Sequence, residues 1–442
     1  MRSRTGPEAD PESQLVRALG VRQLAATIFN YTVGSGIYAL PALAVARLGA
    51  AAPLAFIVCA VAMACIVLCV AEAGSRVTLT GGPYAYVEIG LGRLVGFMSG
   101  VLLLVTGLVS AAAVAELLAQ SLALLLGATS AWVAGTVLVA AVLALMVLNI
   151  RGVRASARIV ELMTVIKILP LVLFVLIGVF YVQRAHFSWQ ATPSIPVVLG
   201  TAGIVIFAFS GIESALTPSG EVQSPARTVP LAAFIALGGT TALYLAVQWV
   251  ALGIEGTALA REPTTPLAQA TATFAGSAGR TVMIVAASVS MLGYLMGNLL
   301  AVPRSLFALA RDGVLPRALC AVHPRFRTPH VAIAVYSALL IALALSGTFE
   351  RMVVMSNLAA LVLYMFCALA VLGLRRQGIS TGAAPFRIPG GAAIPIATCL
   401  ICAWLIYATA SRVELLWLAA AGLAGLALYA LRLRRDSAPH FP

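Results

Sequence analysis

Charged side chains are scarce in this 442-residue chain: Asp, Glu, Lys and Arg make up only 10% of the residues, whereas 61% are hydrophobic. Soluble globular domains carry about 25% charged residues, so the composition excludes a protein of that class. Histidine is rare as well, and its four residues fall in loops or near the C-terminus. Neither an HExxH nor a GxSxG motif is present, so we expect no enzyme, no cofactor and no metal site.

The sequence contains many long hydrophobic runs. A helix that crosses a bilayer needs about 20 apolar residues, and the sequence contains twelve such runs. We therefore predict an all-α polytopic membrane protein with 12 transmembrane helices, for which the lipid bilayer is a partner. The runs begin near Gln23, Pro53, Leu94, Ala131, Ile159, Pro196, Val229, Thr281, Val331, Met352, Ile394 and Leu415.

The chain has no internal segment rich enough in proline, serine or charge to separate domains. Helices as numerous as these pack into one bundle, so we expect a single membrane domain at residues 21–435. A polar tail at residues 1–20 precedes this domain, and a short C-terminal tail at residues 436–442 follows it.

Arginine supplies nearly all of the basic charge, and it alternates between the two sides of the predicted helices. With the N-terminus inside, the cytoplasmic segments hold 21 arginines and the opposite side holds 6. Because basic residues concentrate in cytoplasmic loops, both termini are expected in the cytoplasm. The net charge of +13 then reflects orientation in the membrane, and no nucleic-acid partner is expected.

Two hydrophobic runs are interrupted by glycine near their centres. Residues 28–41 read IFNYTVGSGIYALP and residues 206–216 read IFAFSGIESAL, with Gly34 and Gly211 at the breaks. Unwinding inside a bilayer frees backbone groups, which is costly unless they meet protein, ions or a ligand. A half-helix that starts at Ser35 and Gly36 would direct its positive end at a carboxylate, while freed carbonyls suit an ammonium. The alternative is close packing of helices through small residues.

The breaks fall in the first and sixth runs, at matching places in the two halves of the chain. This placement predicts a five-plus-five inverted repeat followed by two accessory helices. Helices 1–5 are expected at about residues 23–182, helices 6–10 at about 196–374 and helices 11–12 at about 394–432.

Four single residues within the predicted helices are unexpectedly polar. Lys167, the only lysine of the chain, lies in the fifth run. A charge near the bilayer centre costs about 3 kcal/mol on insertion scales, and burial favours the neutral amine, which suits a proton carrier. A lysine that reaches back to the interface is the alternative. Glu213 is expected to bind a substrate ammonium, to exchange protons or to hydrogen-bond the unwound backbone. Asn298 either joins helices or belongs to the site, and Glu116 is expected to pack helices through a hydrogen bond.

Several segments together resemble the amino acid–polyamine–organocation (APC) transporters. They are GSGI at residues 34–37, GGPYAY at 81–86, FAFSGIE at 207–213, GEVQSPARTVP at 220–230, ARDGVLP at 310–316 and FRIPGG at 386–391. They follow the family's order from about residue 20 to 392, so the resemblance covers nearly the whole chain. It implies the LeuT-type fold with broken helices 1 and 6, and transport of amino acids or related amines.

The resemblance also implies a set of substrate-binding residues, carried over position by position. Backbone amides at the first break would bind the substrate carboxylate, and backbone carbonyls at the second break would bind its ammonium. With Asn298 added for its place in the eighth run, the expected substrate-binding residues are Ser35, Gly36, Ile37, Phe207, Ala208, Ser210 and Asn298.

The same resemblance gives two residues a part in coupling. Glu213 falls where the arginine/agmatine exchangers have a proton-sensing glutamate, although Phe207 replaces the tryptophan that caps their substrate. Lys167 falls where many sodium-independent members carry a lysine in the place of a sodium ion, a residue that the arginine/agmatine exchangers lack. We therefore expect Lys167 and Glu213 to be the coupling residues.

The expected function is secondary amino acid transport across the cell membrane by alternating access, independent of sodium and coupled to protons or to exchange. An exchanger of a cationic amino acid for its decarboxylated amine is the near alternative. The alternative of another class is an amino acid sensor that keeps the transporter fold. Which amino acid or amine is carried, and the oligomeric state, stay open at this point.

Overall fold

A computed structural model describes most of the chain. The described residues are 19–77, 79, 81–128, 130–152, 157–189, 191–216, 222–311, 315–380 and 384–436, with the backbone alone described at 157–163, 214 and 431–436. The N-terminal tail expected at residues 1–20 lies mostly outside these ranges, as does most of the C-terminal tail.

The described residues form sixteen α-helices joined by loops and short 3₁₀ turns. The first half of the chain holds α1 (Val21–Thr32), α2 (Gly36–Leu48), α3 (Ala52–Arg76), α4 (Pro83–Leu91), α5 (Arg93–Leu125), α6 (Ala131–Arg151) and α7 (Ala157–Gly178). The second half holds α8 (Ile195–Phe209), α9 (Ile212–Ala215), α10 (Pro225–Glu255), α11 (Pro266–Ala301), α12 (Pro303–Arg311), α13 (His330–Ser346), α14 (Phe349–Arg376), α15 (Ala393–Thr409) and α16 (Arg412–Asp436).

Within the described ranges, eight helical segments are long and apolar enough to cross a membrane. They are Gly36–Arg76, Arg93–Leu125, Ala131–Arg151, Thr164–Tyr181, Pro225–Arg261, Pro266–Arg311, Phe349–Arg376 and Arg412–Ala430. Three more helices, α8, α13 and α15, are apolar but shorter. The prediction of an all-α polytopic membrane protein is confirmed, and each of the twelve predicted starting points lies inside a helix. By length and composition, however, eight segments rather than twelve qualify as spans.

The interior of the bundle is built around α5 and α14, which pack against each other. In the most apolar 18-residue stretch of each of these two helices, 67% of the residues are buried. Helices α3 and α8 also pack against α14, while α11, α13 and α6 pack against α5. By contrast, only 6% of the corresponding 18-residue stretch of α16 is buried, and Leu416 on this helix is 71% exposed. Helix α16 therefore lies at the edge of the bundle, with an apolar surface that suits lipid rather than water.

Candidate functional site

The first glycine-containing segment separates α1 from α2. Val33 N–H donates to Phe29 O at 2.8 Å and Gly34 N–H donates to Thr32 O at 2.9 Å, so the chain leaves the α-helical pattern at this point. Ser35 then precedes α2, and its carbonyl accepts the Tyr38 amide at 3.0 Å. The amides of Gly36 and Ile37, which come before Tyr38 in the first turn of α2, have no partner within their own helix, as at every helix start.

Side chains from three other helices bind the carbonyls freed at the end of α1. Lys167 Nζ donates to Asn30 O at 2.9 Å, Tyr244 OH donates to Thr32 O at 3.1 Å, and Ser290 Oγ donates to Val33 O at 3.2 Å. The Lys167 side chain is only 1% exposed, so it does not reach back to the interface. Its amine instead faces the negative C-terminal end of a half-helix, where a cation is favourable.

The second glycine-containing segment separates α8 from α9. Ser210 is extended, and Gly211 has φ +125°, a backbone angle that favours glycine over any other residue. The Glu213 carboxylate folds back and accepts the Gly211 amide at 3.1 and 3.0 Å. Tyr364 OH, from α14, donates to Glu213 Oε2 at 2.8 Å. Of the three roles considered for Glu213, the hydrogen bond to unwound backbone is thus present, whereas binding of substrate and exchange of protons stay predictions.

The two breaks lie directly against each other. A Cβ on Gly36 would lie 2.6 Å from the Cα of Ala208, and a Cβ on Gly211 would lie 2.8 Å from the carbonyl carbon of Tyr31. Both distances are shorter than any normal carbon contact, so only glycine allows the two backbones to approach this closely. The two breaks, although 170 or more residues apart in sequence, are therefore in contact with each other in the fold.

A cavity lies where the breaks meet, between α5, α11 and α14. The space within it that water molecules could occupy is about 50 Å³, enough for a few of them, so binding of a larger solute requires the surrounding helices to move. Eight of the expected site residues line it: Gly34, Ser35, Gly36, Phe207, Ser210, Gly211, Glu213 and Asn298. Three others are buried behind the lining: Ile37, Ala208 and Lys167.

The lining is mostly apolar, with several polar groups and little charge. Among the described residues that line the cavity, Glu213 is the only Asp, Glu, Lys or Arg. Two buried hydroxyls in the lining, Ser35 Oγ and Thr106 Oγ1, have no hydrogen-bond partner within the described part of the chain. A buried polar group without a partner costs about 1–3 kcal/mol, so this arrangement favours a ligand that can hydrogen-bond.

Of the two roles considered for Asn298, the joining of helices is present, whereas binding of substrate stays a prediction. Its Nδ2 donates to Gly107 O at 3.0 Å and its Oδ1 accepts Tyr336 OH at 2.6 Å, so the side chain joins α11 to α5 and α13. It also lines the cavity. Glu116 lies elsewhere: it does not line this cavity, and its carboxylate accepts Gln120 Nε2 at 3.0 Å, one turn further along the same helix.

An aromatic contact and a salt bridge lie at the end of the bundle where α14 begins. The ring of Phe207 packs edge-on against Phe349 at the start of α14, with ring centres 6.0 Å apart. Beside this pair, Arg47 at the end of α2 forms a salt bridge of 2.6 Å with Glu350. Towards the other end the lining continues to Ala301, an exposed residue at the last turn of α11.

Several residues of the site are missed by sequence reasoning, namely Thr106, Ser110, Tyr294, Ser356 and Tyr364. A hydroxyl side chain within an apolar run is the one signal that marks them. The described part of the chain contains no group of three His, Cys, Asp or Glu side chains that could hold a metal ion.

Fold and cavity together define the class: a multi-pass membrane protein whose interior cavity lies between two interrupted helices. The family model described as amino acid permease matches residues 19–423. The chain belongs to the amino acid permease family, within the APC superfamily, and is therefore a membrane protein of a family of transporters rather than of enzymes.

Curated relatives with similar sequences are also transporters. The chain is 30% identical over 413 residues to the methylthioribose transporter of Bacillus subtilis (strain 168), covering 89% of this chain and 88% of the relative. It is 28% identical over 465 residues to the branched-chain amino acid permease BcaP of the same organism, covering 96% and 95%. With the cationic amino acid transporter 4 of Mus musculus it shares 28% identity over 407 residues, covering 86% of this chain and 63% of the longer relative.

Proposed function

We propose that this protein is a secondary active amino acid transporter of the cell membrane that works by alternating access. The observation that carries the proposal is the contact between the two helix breaks, beside a cavity that residues of both breaks line. Such breaks supply amides and carbonyls without adding charge to the bilayer interior. The amino acid permease BcaP and the cationic amino acid transporter among the relatives support the substrate class.

The substrate is proposed to bind with its two charged groups at the two breaks. Its carboxylate faces the N-terminal turn of α2, at Ser35, Gly36 and Ile37, where unpaired amides and the helix dipole favour an anion. Its ammonium faces the carbonyls at the end of α8, at Phe207, Ala208 and Ser210. Ile37 and Ala208 are buried behind the lining, so they would contact the substrate through their backbone groups only.

Two gates are proposed, one towards each end of the cavity. Phe207 and Phe349, with the Arg47–Glu350 salt bridge beside them, close the end at which α14 begins. The lining that reaches Ala301 leads towards the opposite end. If both termini are cytoplasmic, the closed gate is extracellular, and transport requires the two gates to open in turn.

Coupling is proposed to use protons or exchange, and not sodium. The Lys167 amine is bound to a carbonyl of the first break, so its charge acts on the backbone that shapes the cavity. A fixed ammonium there removes the need for a metal cation. Lys167, and Glu213 beside the second break, are the proposed coupling residues.

We further propose twelve spans in a LeuT-type arrangement with helices 1 and 6 broken. The segment Gly36–Arg76 has 41 residues, which at about 1.5 Å per residue is twice the ~30 Å hydrocarbon thickness. Its helix is interrupted at Gly49, whose φ is +54°, and we propose that the segment supplies the second half of the first span and the whole of the second. Helix pairs α1–α2 and α8–α9 each supply one broken span, and the domain extends over residues 21–435 with both termini in the cytoplasm.

Uptake into proteoliposomes tests the proposal. Purified protein is reconstituted, and a panel of labelled amino acids and amines is offered with or without unlabelled substrate inside, with or without sodium, and with or without an inward proton gradient. Uptake of an amino acid that ignores sodium and depends on either the proton gradient or internal substrate is the expected result. Uptake that requires sodium, or the absence of any amino acid among the transported solutes, would contradict the proposal.

A further inference from the structure

Among the described residues that line the central cavity, none offers a free charged group to a substrate side chain. Glu213 is the only Asp, Glu, Lys or Arg among the described lining residues. Its Oε1 accepts the Gly211 amide, and its Oε2 accepts both that amide and Tyr364 OH. A substrate with a second positive charge would bury that charge without a carboxylate of its own, which is unfavourable in a low-dielectric interior. The lining therefore favours an uncharged side chain.

The wall formed by α5 offers one hydroxyl that nothing else uses. Thr106 is 5% exposed, lines the cavity, and its Oγ1 has no partner among the described residues. Two nearby hydroxyls are already hydrogen-bonded: Ser110 Oγ, also on α5, bonds Tyr294 OH at 2.7 Å, and Ser356 Oγ, on α14, donates to the Thr106 carbonyl at 3.3 Å. A buried, unpaired hydroxyl gains a hydrogen bond only when a ligand supplies the partner.

Thr106 differs in position from the other unpaired hydroxyl. Ser35 Oγ belongs to the first break, where the carboxylate is proposed to bind. Thr106 belongs to α5 and to neither break. A substrate whose carboxylate and ammonium face the breaks would therefore present its side chain, rather than its backbone groups, to Thr106.

We infer that the transported solute is a zwitterionic amino acid with an uncharged, hydrogen-bonding side chain, and that Thr106 is the specificity-determining residue that bonds it. The inference rests on the proposed function and goes beyond it by naming the substrate class and the residue that selects it.

Competition between amino acids of equal shape tests the inference. Inhibition constants are measured against uptake of a labelled substrate in proteoliposomes for the pairs threonine and valine, and serine and alanine, and for lysine. In the unmodified protein threonine and serine should inhibit about tenfold more strongly than valine and alanine, which corresponds to about 1.4 kcal/mol, the size of a good neutral hydrogen bond. Lysine should inhibit more weakly than threonine.

Three variants assign the preference to Thr106. Thr106→Val should reduce the threonine-to-valine ratio to about one, and Thr106→Ser, which keeps the hydroxyl, should restore it. Thr136→Val is the matched control, because Thr136 is an exposed residue of α6 whose hydroxyl bonds only its own helix, to Trp132 O at 2.9 Å. This control should retain the ratio of the unmodified protein.

The outcomes separate this inference from the proposed function. An unmodified protein that prefers valine or lysine to threonine overturns the inference without any variant, even if Thr106→Val does not fold. An unchanged ratio in folded Thr106→Val overturns it as well. If no amino acid is transported at all, the proposed function itself is contradicted, and so is the inference that rests on it.

Discussion

A methyl group at residue 36 tests the contact between the two breaks. In Gly36→Ala the new Cβ would lie 2.6 Å from the Cα of Ala208 and 2.8 Å from its Cβ. Contacting carbon atoms normally lie about 3.5–4.0 Å apart, so the two breaks must separate by roughly 1 Å. Overpacking of this kind costs about 1–3 kcal/mol. If that cost falls on the state that binds substrate, uptake at low substrate concentration should fall by about 5- to 150-fold.

The assay compares initial rates of uptake at equal amounts of reconstituted protein, together with thermal unfolding in detergent. Gly238→Ala is the matched control, because Gly238 lies in helix α10 and a Cβ there would meet no atom within 4 Å. Replacing a helical glycine by alanine in open space should stabilise the protein by about 1 kcal/mol, with uptake unchanged. A Gly36→Ala protein as active and as stable as Gly238→Ala would refute the reasoning.

Three further predictions concern the polar contacts around the site and at one end of the bundle. Lys167→Ala should either abolish the pH dependence of uptake or lock the carrier, because the amine bound to the first break is lost; uptake is measured over a range of pH. Tyr364→Phe removes a 2.8 Å hydrogen bond to the Glu213 carboxylate, and bonds to charged groups are worth about 1.5–3 kcal/mol, so uptake and melting temperature should both fall. Glu72→Gln removes a buried carboxylate that pairs with Arg76 at 2.8 Å and with the partly exposed Arg375 at 2.6 Å, which should cost about 3–5 kcal/mol and lower the melting temperature while the protein stays helical.

Each of these has a result that would contradict it. For Lys167→Ala it is pH-dependent uptake like that of the unmodified protein. For Tyr364→Phe it is an unchanged melting temperature, with Tyr407→Phe, an exposed residue of α15, as the control that should show no change. For Glu72→Gln it is a melting temperature no lower than that of Glu350→Gln, which breaks only a half-exposed salt bridge worth at most about 1 kcal/mol.

The helices and the two breaks could be predicted because their signals are local. Twenty apolar residues in a row identify a membrane helix without reference to the rest of the chain. Gly34 and Gly211 stand out for the same reason, since each interrupts such a run. The contact of Gly211 with Tyr31 is not local, and it follows only from the fold.

The partners of single polar residues could not be predicted, because they come from distant parts of the chain. Glu116 and Glu213 are each one carboxylate in an apolar run, yet only Glu213 lines the cavity. Tyr364, which donates to Glu213, is 151 residues away in sequence. In the sequence, Thr106 is only a hydroxyl residue among apolar ones. It stands out in the fold because nearby hydroxyls are hydrogen-bonded while its own is not.

The most direct test of the central claim is a structure determined with the transported amino acid bound. The account predicts its carboxylate at the amides of Ser35 and Gly36, its ammonium at the carbonyls between Phe207 and Ser210, and its side chain towards Thr106. An amino acid bound outside the cavity between the two breaks, or bound there with its carboxylate away from the start of α2, would contradict it.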